Sequence, residues 1–382
     1  MSVAAAEPAI ADSTRRIDWL FLLAPVLATA LIAALVLVDG QWAAAALVAF
    51  GFALGIVFLK AEFSFTASWR RFMTRGQADG LLGGLLLIAV AAIAIVPVTA
   101  IVPGFGGAIA PIGPSLVIGA FVFGIGMQLA NGCGSGTLYT AGGGSGHMLI
   151  TLALFVVGSV IGSLHMPAAL ALGGIDPVLS KDYFGPWGGL AVTLATLAAA
   201  AALVVGLARR RGVNPWPARR IVVGAVLIGL LSIAVFAAAG HPWSVTFGFT
   251  LWGGKIASAL GFDLSGAEFW QWPGPKHALK NSLLADTSSL TDFGMILGAM
   301  AAAAFSRPFA RTAWPPLASL AAAALGGLLM GWGARLGFGC NIGAFVGGVA
   351  SGSLHGWIWF AAALAGCWVG IRARPFFGLS RD

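Results

Sequence analysis

Two cysteines share the same glycine-rich surroundings, although the chain has only three cysteines in all. Cys133 lies in the stretch ANGCGSGTLY and Cys340 lies in GFGCNIGAF. A thiol is a weak hydrogen-bond donor and a polarisable contact, and neighbouring glycines let the backbone turn and expose its N–H groups. If each cysteine stands at a break between two helices, the N-terminus of the second helix favours an anion. The pair therefore suits a small, soft, sulfur-bearing anion.

Three alternative roles are open for these cysteines. A single cysteine in a membrane helix is usually a small apolar filler. A soft metal such as zinc or copper would need more ligands, and His147 and His355 follow their cysteines by 14 and 15 residues. A membrane thiol oxidoreductase would need the two thiols to meet, although the chain has no Cys-x-x-Cys motif. Since no carboxylate or second close ligand accompanies either site, we expect no metal and no cofactor.

The composition places these residues in a membrane. Of the 382 residues, 59% are hydrophobic and 9% are charged, whereas soluble proteins carry about 25% charged residues. Several nearly uncharged runs are long enough for a helix to cross a hydrocarbon layer of roughly 30 Å. These runs are 19–38, 80–102, 188–208, 221–239 and 354–371. We predict an all-α, multi-pass membrane protein with about nine to eleven spans, some of them short or re-entrant.

The net charge of +8 comes from arginines that we expect in loops, Arg70 and Arg374 among them. Basic loops beside apolar spans follow the positive-inside rule, so the charge does not indicate a nucleic-acid partner. The densest group, RRRGVNPWPARR, is expected to face the cytoplasm. No Walker motif or dinucleotide fingerprint is present, and we expect a protein that is not an enzyme.

That basic segment divides the chain. We predict a short polar tail at 1–16, a first membrane half at 17–208, a linker at 209–220, a second membrane half at 221–372 and a tail at 373–382. Helices are expected at 17–38, 42–59, 80–102, 115–130, 147–165, 188–208, 221–239, 243–260, 291–306, 317–334 and 354–371. Segments 42–59, 115–130 and 243–260 are short or interrupted by glycine, so they are candidates for broken or re-entrant helices.

The two halves resemble each other. Gly126, Leu129, Gly132 and Cys133 each recur 207 positions later, at Gly333, Leu336, Gly339 and Cys340. With one inserted residue, Gly-Ser-x-His at 144–147 matches Gly-Ser-x-His at 352–355. Because cysteine and histidine are rare here and both recur in register, we interpret the pattern as an internal duplication. Repeats that meet at a site near the membrane midplane are common in secondary transporters.

On these residues the sequence resembles the YeeE/YedE family of bacterial inner-membrane proteins, which includes thiosulfate importers. The resemblance rests on G-x-x-L-x-x-G-C-G at 126–134, Gly-Cys-Asn at 339–341 and G-x-x-x-G…F-x-F-T at 51–66. It extends over most of the chain, residues 42–370. It implies a multi-pass protein of the bacterial inner membrane that imports thiosulfate or a similar small sulfur-containing ion.

The resemblance also implies an hourglass-like helical body in which short helices enter from both faces, and a substrate that passes along cysteines at a constriction. Two family cysteines fall on Cys133 and Cys340, and the third falls on Ser64, whose hydroxyl is harder and less polarisable than a thiol. The family often works with a sulfur-relay protein of the TusA type, which here would be a separate chain. The expected substrate-binding and permeation residues are Cys133, Cys340, Ser64, Gly132, Gly134, Asn131, Gly339 and Asn341.

Overall fold

The computed structural model describes residues 19–305 and 315–382, and this part of the chain is built from helices. Nine of its helical segments are long and apolar enough to cross a membrane. They are Trp19–Val38, Trp42–Arg75, Asp79–Ile101, Pro114–Gly142, Gly146–Leu170, Ser180–Arg210, Arg219–Ala239, Leu317–Ala350 and Leu354–Phe377. The predicted all-α, multi-pass membrane fold is confirmed for the described residues. The predicted N-terminal tail at 1–16 lies outside them.

The long helices follow the apolar runs, because alanine and leucine form helices at little conformational cost. In chain order the helices are α1 (Trp19–Val38), α2 (Trp42–Ala61), α3 (Phe65–Arg75), α4 (Asp79–Ile101), α5 (Pro114–Ala130), α6 (Gly134–Gly142), α7 (Gly146–Leu170), α8 (Ser180–Arg210), α9 (Arg219–Ala239), α10 (Thr246–Ala259), α11 (Pro273–Lys280), α12 (Thr287–Ala304), α13 (Leu317–Leu336), α14 (Gly348–Ala350) and α15 (Leu354–Ala373). A π-helix, Asn341–Gly347, leads directly into α14. Most predicted ends lie close to the observed ones, and the largest difference is at α8, which begins at Ser180 and bends at Gly185.

The short helices differ from those predicted. The segments 42–59 and 115–130 belong to α2 and α5, which are continuous, so the prediction that they are broken was wrong. Their glycines serve close packing, as Gly51 shows, because a Cβ at that position would overlap the carbonyl oxygen of Thr291. The short elements instead come immediately after long helices, as α3, α6, α10 and the π-helix with α14. Of the predicted short segments, only 243–260 corresponds to one of them, α10.

Arginines gather on one surface of the molecule, which we call the basic face. Arg220 at the start of α9 pairs with Glu62 at 2.8 Å, and Arg75 at the end of α3 pairs with Asp382 at 3.3 Å. Arg211 in the linker donates to the carbonyl oxygen of Phe72 at 3.2 Å. The end of α2, the end of α3, the linker and the C-terminus therefore share this face.

Loops from both sides of the linker meet on the opposite face. The backbone N–H of Ala108 donates to Ser351 Oγ at 2.9 Å, and Ile112 and Ile175 form a backbone bridge. The π-helix lies on this side, since a Cβ on Gly347 would stand 3.2 Å from Ala108. Helix α3 thus occupies the half of the molecule toward the basic face, as does the end of α6, since a Cβ on Gly143 would lie 3.4 Å from Leu59 near the end of α2. The π-helix occupies the other half.

Candidate functional site

Cys133 caps the N-terminus of α6. Its backbone is extended, and its Sγ accepts a hydrogen bond from the N–H of Gly136 at 3.3 Å and lies 3.5 Å from Ser135 Oγ. The side chain of Thr137 donates back to the Cys133 carbonyl oxygen at 2.8 Å. Serine, threonine, aspartate and asparagine are the usual residues at this position. A thiol held there by the Gly136 N–H is therefore presented in a fixed direction, at the positive end of a buried helix.

Cys340 occupies the equivalent N-cap position before the π-helix; its thiol is fully buried and, unlike that of Cys133, accepts no capping hydrogen bond from the described helix that follows. The backbone N–H groups of Ile342 and Gly343 face this thiol. Cys340 Sγ would lie 2.9 Å from a Cβ on Gly134, so it packs directly against the residue that follows Cys133. Two cysteines that are 207 residues apart in sequence are thus brought close together, and a side chain at position 134 would collide with the Cys340 thiol.

Ser64 stands in the third position of the same kind, as the cap of α3. Its Oγ accepts a hydrogen bond from the N–H of Ala67 at 3.2 Å. Its side chain also lies beside the hydroxyl of Tyr139 on α6. Two residues into the helix, the hydroxyl of Thr66 faces the Cys133 thiol. The α3 and α6 N-termini therefore converge on Cys133.

The three N-cap residues Ser64, Cys133 and Cys340 follow the same backbone conformation, which the sequence did not reveal. Each lies two residues after a non-glycine residue with positive φ, and these three residues are Glu62 (50°), Asn131 (59°) and Phe338 (60°). The left-handed residue ends the long helix, and the extended cap two positions later starts the short one. These are the only non-glycine residues with positive φ in the described part of the chain. Ser64, Cys133 and Cys340 are therefore geometrically equivalent positions.

The site is bordered by the N-termini of α3, α6 and the π-helix. The N-terminus of α10 forms its fourth wall, on the side toward the opposite face. A Cβ on Gly134 would lie 3.6 Å from Thr246 Cγ2, and one on Gly343 would lie 3.6 Å from Ser244 Oγ. A cavity of about 270 Å³ lies here, lined in part by Ser244, Gly343 and His355. It leads from the opposite face to the helix that Cys340 caps.

Buried polar atoms at the site have unused hydrogen-bonding capacity. Within the described residues, Thr66 Oγ1 and both side-chain polar atoms of Asn341 have no ordinary hydrogen-bond partner. Such groups are rare in folded proteins because each costs roughly 1–3 kcal/mol. Hydroxyl and amide groups beside thiols at helix N-termini can bind a small polar anion.

The remaining predicted residues divide between the site and the basic face. Gly134 and Asn341 lie beside the thiols, as described above. Gly132 has little room, because a Cβ there would stand 3.0 Å from Met148 Sδ, and Gly339 has a φ of 148° that suits glycine. Asn131 is exposed, and its side chain accepts a hydrogen bond from Arg70 rather than contacting the thiols.

Two buried arginines meet at Asn131, and the sequence pattern misplaced both of them. Arg70 donates to Asn131 Oδ1 at 2.8 Å, and Arg374 donates to the same oxygen at 3.5 Å and to the Gln128 carbonyl oxygen at 2.6 Å. Arg70 lies in α3 and Arg374 begins a 3-10 helix after α15, so the prediction that they lie in loops was wrong; they are only 8% and 4% exposed. The two guanidinium groups form a buried cationic pair whose acceptors, Asn131 Oδ1 and the Gln128 carbonyl oxygen, are uncharged. Asn131 lies two residues before Cys133. Clustered arginines, as in RR at 70–71 and RAR at 372–374, are typical of surface loops, so the sequence pattern predicted loops at both positions.

The other polar candidates have protein partners of their own. His147 Nε2 lies 3.0 Å from the Ala130 carbonyl oxygen, and His355 Nδ1 lies 2.7 Å from Ser353 Oγ. Lys255 donates to two carbonyl oxygens near α11. No group of three or more metal-ligating side chains occurs in residues 19–305 and 315–382.

Taken together, the capped short helices inside a bundle of spanning helices define a multi-pass membrane protein with a buried polar site, which is the arrangement of a transporter. The chain belongs to the family described as Sulphur transport, whose profile matches residues 60–369. The family and the relatives below are transporters and not enzymes.

Three relatives illustrate the match. The "Thiosulfate transporter TsuA" of Spirochaeta thermophila is 30% identical over 276 residues, which cover 66% of this chain and 75% of the relative. The protein of the same name from Escherichia coli is 27% identical over 282 residues, covering 66% of this chain and 72% of the relative. The "Probable transporter YedE" of Escherichia coli is 34% identical over 147 residues, covering 38% of this chain and only 36% of the relative.

Proposed function

We propose that this protein imports thiosulfate, or a similar small sulfur-containing anion, across the bacterial inner membrane. The observation that carries the proposal is the contact between the Cys340 thiol and Gly134, which brings the two N-cap cysteines to one buried site. Relatives named as thiosulfate transporters support the choice of substrate. The basic face is then the cytoplasmic one, as the positive-inside rule requires.

The geometry supports a path from the opposite face to Cys133 in two steps. The anion enters through the cavity beside Ser244 and reaches Cys340. Beside Gly134 the anion then leaves the Cys340 thiol and binds the Cys133 thiol. The hydroxyl groups of Ser64 and Thr66 are further hydrogen-bond donors there. Each contact is a hydrogen bond and no covalent bond forms, so the terminal sulfur of thiosulfate meets S–H donors of matching softness.

The buried pair of Arg70 and Arg374 supports a direction. It stands between Cys133 and the basic face and offers positive charge on neutral acceptors. A guanidinium binds an oxyanion through charge-assisted hydrogen bonds. The anion therefore passes from neutral thiols to charged arginines on its way to the cytoplasm. A separate TusA-type protein at the basic face would be the acceptor of sulfur there.

A growth experiment tests the substrate and the site together. The protein is expressed in a bacterium that lacks sulfate and thiosulfate uptake, with thiosulfate as the sole sulfur source. Wild type should restore growth. C133A and C340A should each reduce labelled thiosulfate uptake by about tenfold or more, since each removes a hydrogen bond to a charged group worth roughly 1.5–3 kcal/mol.

The matched control is C367A. Cys367 is buried in α15, where its N–H lies near Gly124 of α5, and it is outside the three capping positions. We expect C367A to support growth as wild type does. Failure of wild type to rescue, with the protein present in the membrane, contradicts thiosulfate as the substrate. Full rescue by both C133A and C340A contradicts the site.

A further inference from the structure

Asp292 is an acidic side chain in the interior of α12 that the proposed transport path does not use. The residue is fully buried. Neither of its carboxyl oxygens has a hydrogen-bond partner in the described part of the chain. An acidic residue inside a membrane protein is costly and is retained where it has a function.

The carboxyl group faces the helix that forms the fourth wall of the thiol site. A Cβ on Gly248 would lie 2.7 Å from Asp292 Oδ2, so the carboxyl contacts the backbone of α10 two residues after Thr246. Thr246 borders Gly134, against which Cys340 packs. Asp292 and the Cys340 thiol are close enough to interact electrostatically. The carboxyl is therefore separated from the anion site by the first turn of one helix.

None of the charged or titratable groups on the surrounding elements pairs with this carboxyl. On α12 itself, Asp286 caps the first turn through Ser289, and burial raises its pKa although those hydrogen bonds lower it. On α10, Lys255 donates to the carbonyl oxygens of Leu279 and Asn281. On α6, Tyr139 donates to the Phe63 carbonyl oxygen. Before α10, the ring of His241 contacts Thr287 Oγ1 at 3.0 Å and the Pro242 carbonyl oxygen.

Helix α1 has no titratable side chain, and the only one on α2 is Lys60. Helix α2 runs parallel to α12, with Gly51 beside Thr291 and Gly55 beside Met295. Lys60 therefore lies about two turns further along than Asp292.

An unpaired carboxylate in such a place carries a large desolvation cost, whereas the neutral acid avoids most of it. A negative charge at Asp292 would also repel an anion at the thiols. The affinity of the site for the anion and the affinity of Asp292 for a proton must therefore increase each other, because linkage is reciprocal.

We propose that Asp292 is a proton-binding coupling site, and that the protein carries at least one proton inward with each anion. This inference rests on the proposed anion uptake. Asp292 takes up a proton from the opposite face when the site is open to it, and the neutral acid admits the anion. When the site opens to the basic face, the anion leaves and the proton follows, so both species cross in the same direction.

Transport by purified protein in lipid vesicles tests the coupling. With the vesicle exterior more acidic than the lumen, wild type should accumulate labelled thiosulfate faster than without the gradient. We expect the gradient to have no effect on D292N, because the amide cannot take up the proton. The control is D286N on the same helix, since asparagine also caps a helix and should leave the response to the gradient intact. A gradient response in D292N equal to that of wild type overturns the proposal.

A second measurement does not depend on transport. Infrared spectra of wild type near neutral pH should show the carbonyl stretch of a protonated carboxylic acid, and this band should be absent in D292N and present in D286N. Its absence from wild type overturns the proposal, even if D292N is inactive. Vesicles in which wild type moves no thiosulfate refute the proposed substrate, while the infrared band still decides the state of Asp292.

Discussion

At the scale of single residues, the proposed anion site takes its selectivity from the chemistry of the three N-cap side chains. A thiol offers one weak donor and a soft, polarisable atom, and a serine hydroxyl offers a stronger and harder donor. Cys133 and Cys340 hold the two thiols at positions equivalent to that of Ser64. An anion that carries a terminal sulfur can match both kinds of donor, whereas an anion with oxygens alone matches only the serine.

The hydroxyl of Ser64 has a structural task as well as a polar one. We expect S64A to lower thiosulfate uptake by about fivefold, because loss of an N-cap costs roughly 1 kcal/mol and loosens the start of α3. S64C places a third thiol at the equivalent position and should retain more uptake than S64A. Initial rates of labelled uptake at equal expression decide between them. Equal rates for S64A and wild type would show that α3 does not need this cap.

The adjacent arginines Arg70 and Arg71 allow a matched comparison. Arg70 is buried on Asn131, whereas the side chain of Arg71 is partly exposed and lies 3.8 Å from Asp79. We expect R70Q to reduce uptake by about tenfold, since it removes a charge-assisted contact to the leaving anion. R71Q should have less effect, because Arg71 does not contact Asn131 and its partly exposed ion pair with Asp79 is long, and solvent-screened pairs contribute between zero and about 1 kcal/mol. Similar uptake by the two variants would contradict the exit path through Arg70.

At the scale of helices, backbone contact between long helices fixes the frame around the site. A Cβ on Gly298 of α12 would overlap the carbonyl oxygen of Phe52 on α2, so the two backbones touch. Small residues allow such an approach in membranes, where dispersion contacts largely hold helices together. Because Asp292 and its neighbours belong to this pair, the frame holds the carboxyl against α10.

The glycine contact leads to a stability prediction. G298A should lower the midpoint of thermal unfolding in detergent and reduce the yield of folded protein, because a methyl group cannot fit without separating α2 from α12. G206A in α8 is the control, as a Cβ there meets nothing within 4 Å. Alanine should leave that helix as stable or more stable by about 0.5–1 kcal/mol. An unchanged midpoint in G298A would mean that the two helices can move apart freely.

The long helices could be predicted from sequence because each apolar run is itself the signal. Helices α3 and α6 escaped prediction, since α3 contains three arginines and α6 is only nine residues long. The cysteine pair was recognised because a rare residue recurs in register, and the structure brings Cys340 against Gly134. The sequence around Asp292 gave no signal of a function. That its carboxyl group has no hydrogen-bond partner among the described residues becomes visible only when the neighbouring helices are in place.

At the scale of the whole molecule, the charge distribution predicts orientation. Trp216 is exposed in the linker between α8 and α9 on the basic face, and Leu172 is exposed in the loop between α7 and α8 on the opposite face. The native cysteines are buried, so they should react little with a charged maleimide that does not cross membranes. W216C should react only in inside-out vesicles, and L172C should react in spheroplasts. The reverse pattern would place the basic face outside the cytoplasm.

The burial of both thiols has a consequence for the cell when no substrate is present. Cys133 is 2% exposed and Cys340 is fully buried, with short helices packed around them from both sides. A continuous file of water there would short-circuit the energy stored across the membrane. We expect the packed thiols and glycines to exclude such a file of water, so that a copy without bound substrate leaks little current across the membrane.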